Sequence, residues 1–421
     1  MQLDVEKIRK QFPALSIKES GKPRIYLDNP AGTQVPQNAI DRITKYLVET
    51  NANHGGAFRT SQESDQILAE AHKAMADFLN APSDKEIIFG ANMTTLTFAI
   101  SRSLGHRFNP GDEILVTRMD HDGNVAPWRM LAEDQGLRIK WLPFNKETFQ
   151  FDPADLQALL TERVKLVAIN YASNAIGTIN EVKNMARLAH EVGALVYVDA
   201  VQYAPHGPID VQDLDCDFLV CSAYKFFGPH QGILWGKYEL LEDLIAYKVR
   251  PADPDPPGKF ETGTQSHEGQ AGTLGAIEYL EWIGKTMTET VSNEMDYKDG
   301  RKEYLHRAMS TIKAYEKILS KRLIDGLNTI PNLKIYGITN LNELNDRVPT
   351  VSFTIEGMHP GEISKRLARE NIFVWDGDFY AVEVVNFLGL GEKGGLLRVG
   401  ATHYNSVEEI DKFLNALAGI C

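Results

Sequence analysis

Lys225 stands where the apolar run DFLVCSAYK gives way to the turn formers Gly228, Pro229 and Gly232, so its amine is carried on a turn directly beyond a buried segment. An amine held there can condense with an aldehyde to a Schiff base and then accept or release a proton, provided its surroundings lower its basicity. A loop lysine on its own is ordinarily a solvated cation. The company this one keeps points elsewhere. Asp199 closes the apolar run ALVYVDA, where a carboxylate needs a compensating cation. A protonated pyridine nitrogen is such a cation. An aspartate that keeps that proton in place makes an aromatic ring an electron sink for a carbanion at an amino acid's α-carbon, which is the chemistry of pyridoxal 5′-phosphate. The competing reading of Asp199 is a plain helix N-cap.

Further residues fit the same ring. Gln202, three positions after Asp199, and Asn174 in YASNAIGTIN can each hydrogen-bond a phenolic oxygen, although an asparagine in such a stretch is equally at home in an Asx turn. His121 ends EILVTRMDH and can stack on the ring or exchange a proton near neutral pH, if it is not a structural histidine. The run EIIFG leads into ANMTTLTFAI, where Asn92, Met93 and Thr94 open a helix whose first backbone amides form an anion site suited to a phosphate. Ser222 and Tyr224, beside the lysine, can add hydroxyls.

The elements that must position these groups are legible as short apolar runs ending in polar or small residues: 86–90, 113–121, 166–174, 194–200 and 217–225. Each reads as a buried strand. Amphipathic stretches such as TTLTFAISRSL, WRMLAEDQG and VKNMARLAHEVG alternate with them, the signature of an α/β domain built on a mostly parallel sheet. In such sheets ligands sit beyond the carboxyl ends of the strands, where His121, Asn174, Asp199 and Lys225 are expected. The proline-rich RPADPDPPGKFETGTQ near residue 250 breaks this pattern and rules out regular helix or central strand. Helices over AGTLGAIEYLEWIGK and roughly 290–328, short strands within VPTVSFTIEG, NIFVWDG and GLLRVGATHYN, and a closing helix from Ser406 then predict a smaller α+β domain. The expected division is an N-terminal helical segment packing on the small domain at 1–22, a large cofactor-binding domain at 23–285 and a small C-terminal domain at 286–421.

Composition narrows the class. A formal net charge of −13 with no basic run argues against nucleic acid, and no stretch reaches the length and hydrophobicity of a membrane span. The opening MQLDVEKIRKQF lacks an apolar signal core, so a soluble cytoplasmic protein is expected. Three cysteines, Cys216, Cys221 and Cys421, form no CxxC pair or even framework, and no metal cluster is expected.

Taken together, YLDNPAGTQVP, DHDGNVAPW, SNAIGTIN, VDAVQYAPHGPIDV with LDCDF, SAYKFFGPHQG, FETGTQ and LRVGATHYN resemble the class V aminotransferase family, which includes cysteine desulfurases, selenocysteine lyases and cystine lyases. The resemblance spans nearly the whole chain. It implies a fold-type I homodimer with active sites shared at the subunit interface and a small amino-acid substrate. It also implies that Lys225 forms the Schiff base with pyridoxal phosphate, that Asp199 pairs with the pyridine nitrogen and that Gln202 and Asn174 reach the phenolic oxygen. By the same resemblance His121 stacks on the ring, Thr264 reaches the phosphate from the other subunit and Arg398 binds the substrate's α-carboxylate, a task suited to a planar bidentate donor.

Two departures stand out. Desulfurases that pass sulfur as a persulfide carry a nucleophilic cysteine on a small-domain loop of the form RTGHHCA, whereas this chain reads VWDGDFYA, with Tyr380 in the cysteine's place and Trp375 and Asp376 replacing the arginine and its neighbour. Tyr224 stands where many desulfurases have a histidine. The expected reaction is therefore β-elimination at a C–S bond without a protein persulfide, with Lys225 removing the α-proton and His121 or Tyr380 donating one. Transamination, racemisation and decarboxylation use the same electron sink. The acidic Asp376 and Asp378 fit either a cationic substrate side chain or a solvated loop. A regulator that binds the cofactor without chemistry is the alternative of another class, but such proteins usually carry an added DNA-binding segment, only about twenty residues precede YLDNPAG, and the intact Arg398 favours a substrate.

Overall fold

The computed structural model describes residues 3–287 and 300–420. Seven runs form the large sheet: β1 (Ile87–Gly90), β2 (Glu113–Thr117), β3 (Arg138–Leu142), β4 (Val164–Asn170), β5 (Leu195–Asp199), β6 (Phe218–Ser222) and β7 (Gly232–Gly236). Their spatial order is β1-β7-β6-β5-β4-β2-β3. All pairings are parallel except those of β7, which runs antiparallel to β1 and β6. The central strands are apolar almost throughout because helices cover both faces. Ile88, Val116, Ala168, Val220 and Leu234 pack beneath the helices Met93–Gly105 and Ala126–Gln135. Their neighbours in sequence, Ile87, Leu115, Val167, Leu219 and Ile233, point to the opposite layer, which includes Arg59–Leu79, Val182–Glu191 and His267–Thr286.

Sequence and structure differ in instructive places. The edge strand β3 and the antiparallel β7 were not among the five expected strands. β3 is mostly half-exposed and carries Arg138 and Lys140, and β7 is a glycine-bounded run beyond the turn that follows Lys225. Three of the expected strands end early, at Thr117, Asn170 and Ser222, so His121, Asn174 and Lys225 sit on the turns that follow. At Thr117 the cause is local: its hydroxyl bonds the Asp120 carboxylate and accepts the Met119 amide at 3.1 Å, curling the chain off the sheet. Cys216 precedes β6, and Cys221 lies within it.

The second sheet contains β8 (Leu333–Tyr336), β9 (Thr350–Ile355), β10 (Trp375–Gly377) and β11 (Leu396–Gly400) in the antiparallel order β8-β9-β11-β10. Helices Arg301–Leu327 and Val407–Ala418 lie against it, the latter capped by Ser406. The expected helix at 290–328 is thus observed from Arg301; positions 290–299 lie outside the described residues, as does Cys421. The proline-rich segment around residue 250 forms turns. Near the start of the chain, Arg9 bonds Tyr404 O and Glu409, and Ile25–Tyr26 pairs in parallel with Ile372–Phe373. Among the described residues no helix is long and apolar enough to cross a membrane, and no His/Cys/Asp/Glu group could hold a metal ion.

Candidate active site

The carboxyl ends of β2, β4, β5 and β6 open on the same edge of the sheet. Lys225 occupies the single turn Ala223–Lys225 after β6, where its amine donates to Pro30 O. Burial pushes that amine down to about 7, assisted by the Arg398 cation and opposed by Asp28 and Asp199. Asp199, at the end of β5, is 4% exposed and accepts the Val201 amide at 2.9 Å. Burial raises its carboxyl to about 6 against the pull of that amide and of Lys225. A buried carboxylate in this condition is short of positive charge.

His121 receives the Gly123 amide on Nδ1 at 2.9 Å. Burial, then the charges of Lys225 and Arg398, lowers the ring to about 4. It is therefore neutral near pH 7, and since Nδ1 is an acceptor, its proton is on Nε2. Tyr380 stacks beside it at 5.6 Å between ring centroids and 24° between planes.

Arg398, in the middle of β11, crosses from the small domain into this cleft. It donates to Asn174 O at 3.1 Å, pairs with Asp28 at 3.2 Å and lies 4.3 Å from the centre of the Phe379 ring. Asn174 donates in turn to Phe379 O at 2.9 Å. Gly177, at φ +77°, closes the turn that carries Asn174 against β9; a Cβ there would stand 2.3 Å from Thr350 O. Ser222 Oγ accepts the Met93 amide at 3.3 Å, which ties the helix Met93–Gly105 to the strand before the lysine. Gly232 permits that approach, because a Cβ would meet the Asn92 backbone at 2.4 Å. Asn92 caps the helix through the Thr95 amide, and Thr94 is half-buried at its first turn. The Tyr224 ring lies under the Lys225 amine and stacks on His230.

Thr264 is placed apart from these groups. It is exposed, lining a surface cleft of about 680 Å³ with His54, Asp65 and His267. Cys216 and Cys221 are wholly buried, and burial drives both thiols upward, away from the thiolate a nucleophile requires.

Asp28 was not singled out from sequence. Its carboxyl, raised by burial and opposed by Arg398 and Lys225, sits between the two cations. Its only signal was a place in YLDNPAG, distant in sequence from both. Asp120 was missed as well: fully buried and held by Thr117 and Asn124, its carboxyl is pushed well up by burial.

The class V aminotransferase profile matches residues 25–300 and 302–413. The chain belongs to the class V aminotransferase family. Relatives span it end to end. An "Aminotransferase-like protein FGM3" from Gibberella zeae is 35% identical, covering 98% of this chain and 97% of that one. A cysteine desulfurase from Pectobacterium atrosepticum is 31% identical, covering 100% and 98%. Among solved structures, the apo cysteine desulfurase from Thermococcus onnurineus NA1 superposes with a TM-score of 0.86 at 28% identity, covering 100% and 98%. This class V chain thus has the fold-type I architecture of a pyridoxal-phosphate enzyme.

Proposed function

We propose that the chain binds pyridoxal 5′-phosphate at Lys225 and cleaves a C–S bond of a small cysteine-like amino acid by β-elimination, without a protein persulfide. The observation that carries the reading is the buried Lys225 amine beyond β6, lowered to about 7 by burial and by Arg398 against the opposing pull of Asp28 and Asp199. Such an amine is nucleophilic and can serve as a base at neutral pH.

The residues present fit the cofactor. Asp199 supplies the carboxylate short of a cation, and Asn174 Oδ1, Gln202 Oε1 and Arg398 Nε are buried without a hydrogen-bond partner. Asp199 would hold the pyridine proton, Asn174 and Gln202 would face the phenolic oxygen and His121 would lie over the ring. Met93, Thr94, Ser222 and Tyr224 would receive the phosphate, with Thr264 contributed by the second subunit of a homodimer in the cytoplasm. When bound, the cofactor withdraws electrons from the substrate's α-carbon.

Arg398 orients the substrate by its α-carboxylate, which competes with Asp28 for the guanidinium. Lys225 takes the α-proton onto Nζ. The Cβ–S bond would break with its electron pair on sulfur, and His121, whose proton the Gly123 amide leaves on Nε2, would protonate the leaving thiolate. Hydrolysis of what remains yields pyruvate and ammonia. Support for the absence of a persulfide comes from Tyr380 at the loop position and from the burial of Cys216 and Cys221.

The fungal relative's name favours transamination as the second reading. Absorption spectra of the purified protein with cysteine, cystine, cysteine sulfinate and alanine, alongside Lys225→Ala, test both. A visible-edge band that is lost in Lys225→Ala, shifts with a sulfur amino acid and accompanies pyruvate release is expected. A keto acid matching the amino donor would move the assignment to transamination. A band that Lys225→Ala leaves intact would remove Lys225 from the site.

A further inference from the structure

Three aromatic side chains flank the groups that would hold and protonate the substrate, and the proposed reaction uses none of them. The Phe379 ring lies 4.3 Å from the Arg398 guanidinium, and the Tyr380 ring stacks on His121 at 5.6 Å. Trp375 stands opposite Arg398 in the pairing of β10 with β11. Directly opposed residues of an antiparallel pair project from the same face of the sheet, so Trp375 shares the face from which Arg398 enters the cleft. Phe379 is buried, whereas Trp375 is 55% and Tyr380 72% exposed.

The backbone is bent to put them there. Phe379 and Tyr380 are successive residues at φ +59° and +57°, a conformation that bulky side chains rarely adopt. Asn174 Nδ2 donates to Phe379 O at 2.9 Å and the Asp122 amide to Tyr380 O at 2.7 Å. The turns after β4 and β2 thus hold the loop in this shape, and strain kept in place by its surroundings is a pointer to function.

The two acids of the loop are directed elsewhere. Asp376 pairs with Leu397, on the other face of the sheet from Arg398, and a Cβ at Gly361 would stand 3.0 Å from its Oδ2. Asp378 Oδ1 accepts the Tyr380 amide at 2.9 Å. What the loop offers to the substrate is therefore aromatic. A sulfur within proton-transfer reach of His121 lies beside the Tyr380 ring stacked on it, so a group carried by that sulfur comes against Tyr380.

We propose that Trp375 and Tyr380 form the subsite for the substrate's sulfur substituent, and that the substrate is a cysteine thioether whose sulfur carries an apolar or aromatic group. The inference rests on the C–S cleavage reading and narrows it. The α-proton passes to Lys225, the Cβ–S bond breaks with its electron pair on sulfur, and His121 protonates the departing thiolate to a thiol. Water converts the three-carbon remainder to pyruvate and ammonia. Apolar area moved out of water onto the two rings supplies the preference for the substituted sulfur.

Two measurements test it. The first titrates cofactor-free protein by saturation-transfer NMR, which registers weak binding without turnover, with S-benzyl-, S-methyl- and S-(2-aminoethyl)-L-cysteine. The benzyl compound is expected to bind about tenfold tighter than either of the others, the scale of burying one aromatic ring. The preference should vanish in Trp375→Ala/Tyr380→Ala, whose exposed positions leave the core intact. It should persist in Tyr380→Phe, which keeps the ring, and in Asp378→Asn, which keeps an acceptor for the Tyr380 amide. The second uses the holoenzyme: the double alanine variant should raise KM for the benzyl substrate about tenfold while its kcat, and the KM of the methyl substrate, stay within about twofold. Phenylmethanethiol and pyruvate should appear in equal amounts. Equal affinities in the wild type, tighter binding of the aminoethyl compound, or a benzyl preference that survives loss of both rings would overturn the proposal. A benzyl preference without thiol or pyruvate would uphold the aromatic subsite and overturn the C–S cleavage reading instead.

Discussion

Asp199→Asn should stabilise the cofactor-free protein while weakening the cofactor-bound form, an inversion of sign that a structural carboxylate would not produce. Asp199 is buried, and its carboxyl lies at about 6 instead of 3.8. A folded-state value above the unfolded one means that stability is fully present below about 3.8 and is lost as pH rises through about 6. The displacement of about 2 units corresponds to about 3 kcal/mol at pH 7.5, and roughly half of that at pH 5. Asparagine has nearly the same shape, retains an oxygen for the Val201 amide and carries no charge. Urea unfolding of the cofactor-free forms at the two pH values, repeated with saturating pyridoxal phosphate, measures each term. The apo variant should gain about 3 kcal/mol at pH 7.5 and about half as much at pH 5. With cofactor present the wild type should become the more stable, because its carboxylate then has a cation to face. An apo variant no more stable than wild type, or a gain independent of pH, would refute the view that Asp199 is held uncompensated in wait for a positive ring.

Two further perturbations address the reaction. Replacing Cys216, Cys221 and Cys421 together by alanine should leave pyruvate formation within about twofold, since the buried Cys216 and Cys221 contribute packing rather than nucleophilicity and the proposed reaction uses no thiol of the protein; a loss above tenfold at unchanged melting temperature would return a cysteine to the mechanism. Arg398→Gln should raise KM for cysteine on the order of a hundredfold, as loss of a charged hydrogen-bonding partner predicts, yet change handling of cysteamine, which lacks the carboxylate, far less. Because the Arg398 cation also depresses the Lys225 amine, the pH at which cofactor-free protein captures added pyridoxal phosphate should move upward in the same variant, as a pH series of cofactor binding would read.

Lys225 and Asp199 were legible because Asp199 ends a buried strand and Lys225 follows one, and a strand covered on both faces is written locally as a short apolar run. The turns after those strands were harder. His121 and Asn174 were expected at strand ends, but side-chain bonds such as Thr117 to Asp120 lift the chain off the sheet first, and they leave no periodic trace. β7 was hidden for another reason: Gly232 and Gly236 bound a run whose partners, β1 and β6, lie on opposite sides of it and far apart in sequence. The Asp28–Arg398 pair belongs to the same class. It joins residues whose own neighbourhoods look ordinary, and only folding makes them chemistry. Thr264, which family likeness assigns to the other subunit's site, stands exposed in a surface cleft of its own chain.

The contact between Asp28 and Arg398 spans 370 residues, and this separation has a consequence during synthesis. A ribosome adding about 5 to 20 residues per second needs tens of seconds between the two. Once residue 236 has been made, the large-sheet strands and Lys225 exist, with Pro30 O as a partner for the amine, while Asp28 still lacks Arg398 and Ile25–Tyr26 still waits for Ile372–Phe373. The lysine emerges before the wall that will enclose it. Nascent chains halted before β11 would therefore carry the Lys225 amine without Arg398 beside it, and the last strand to be synthesised is the one that brings that cation to the site.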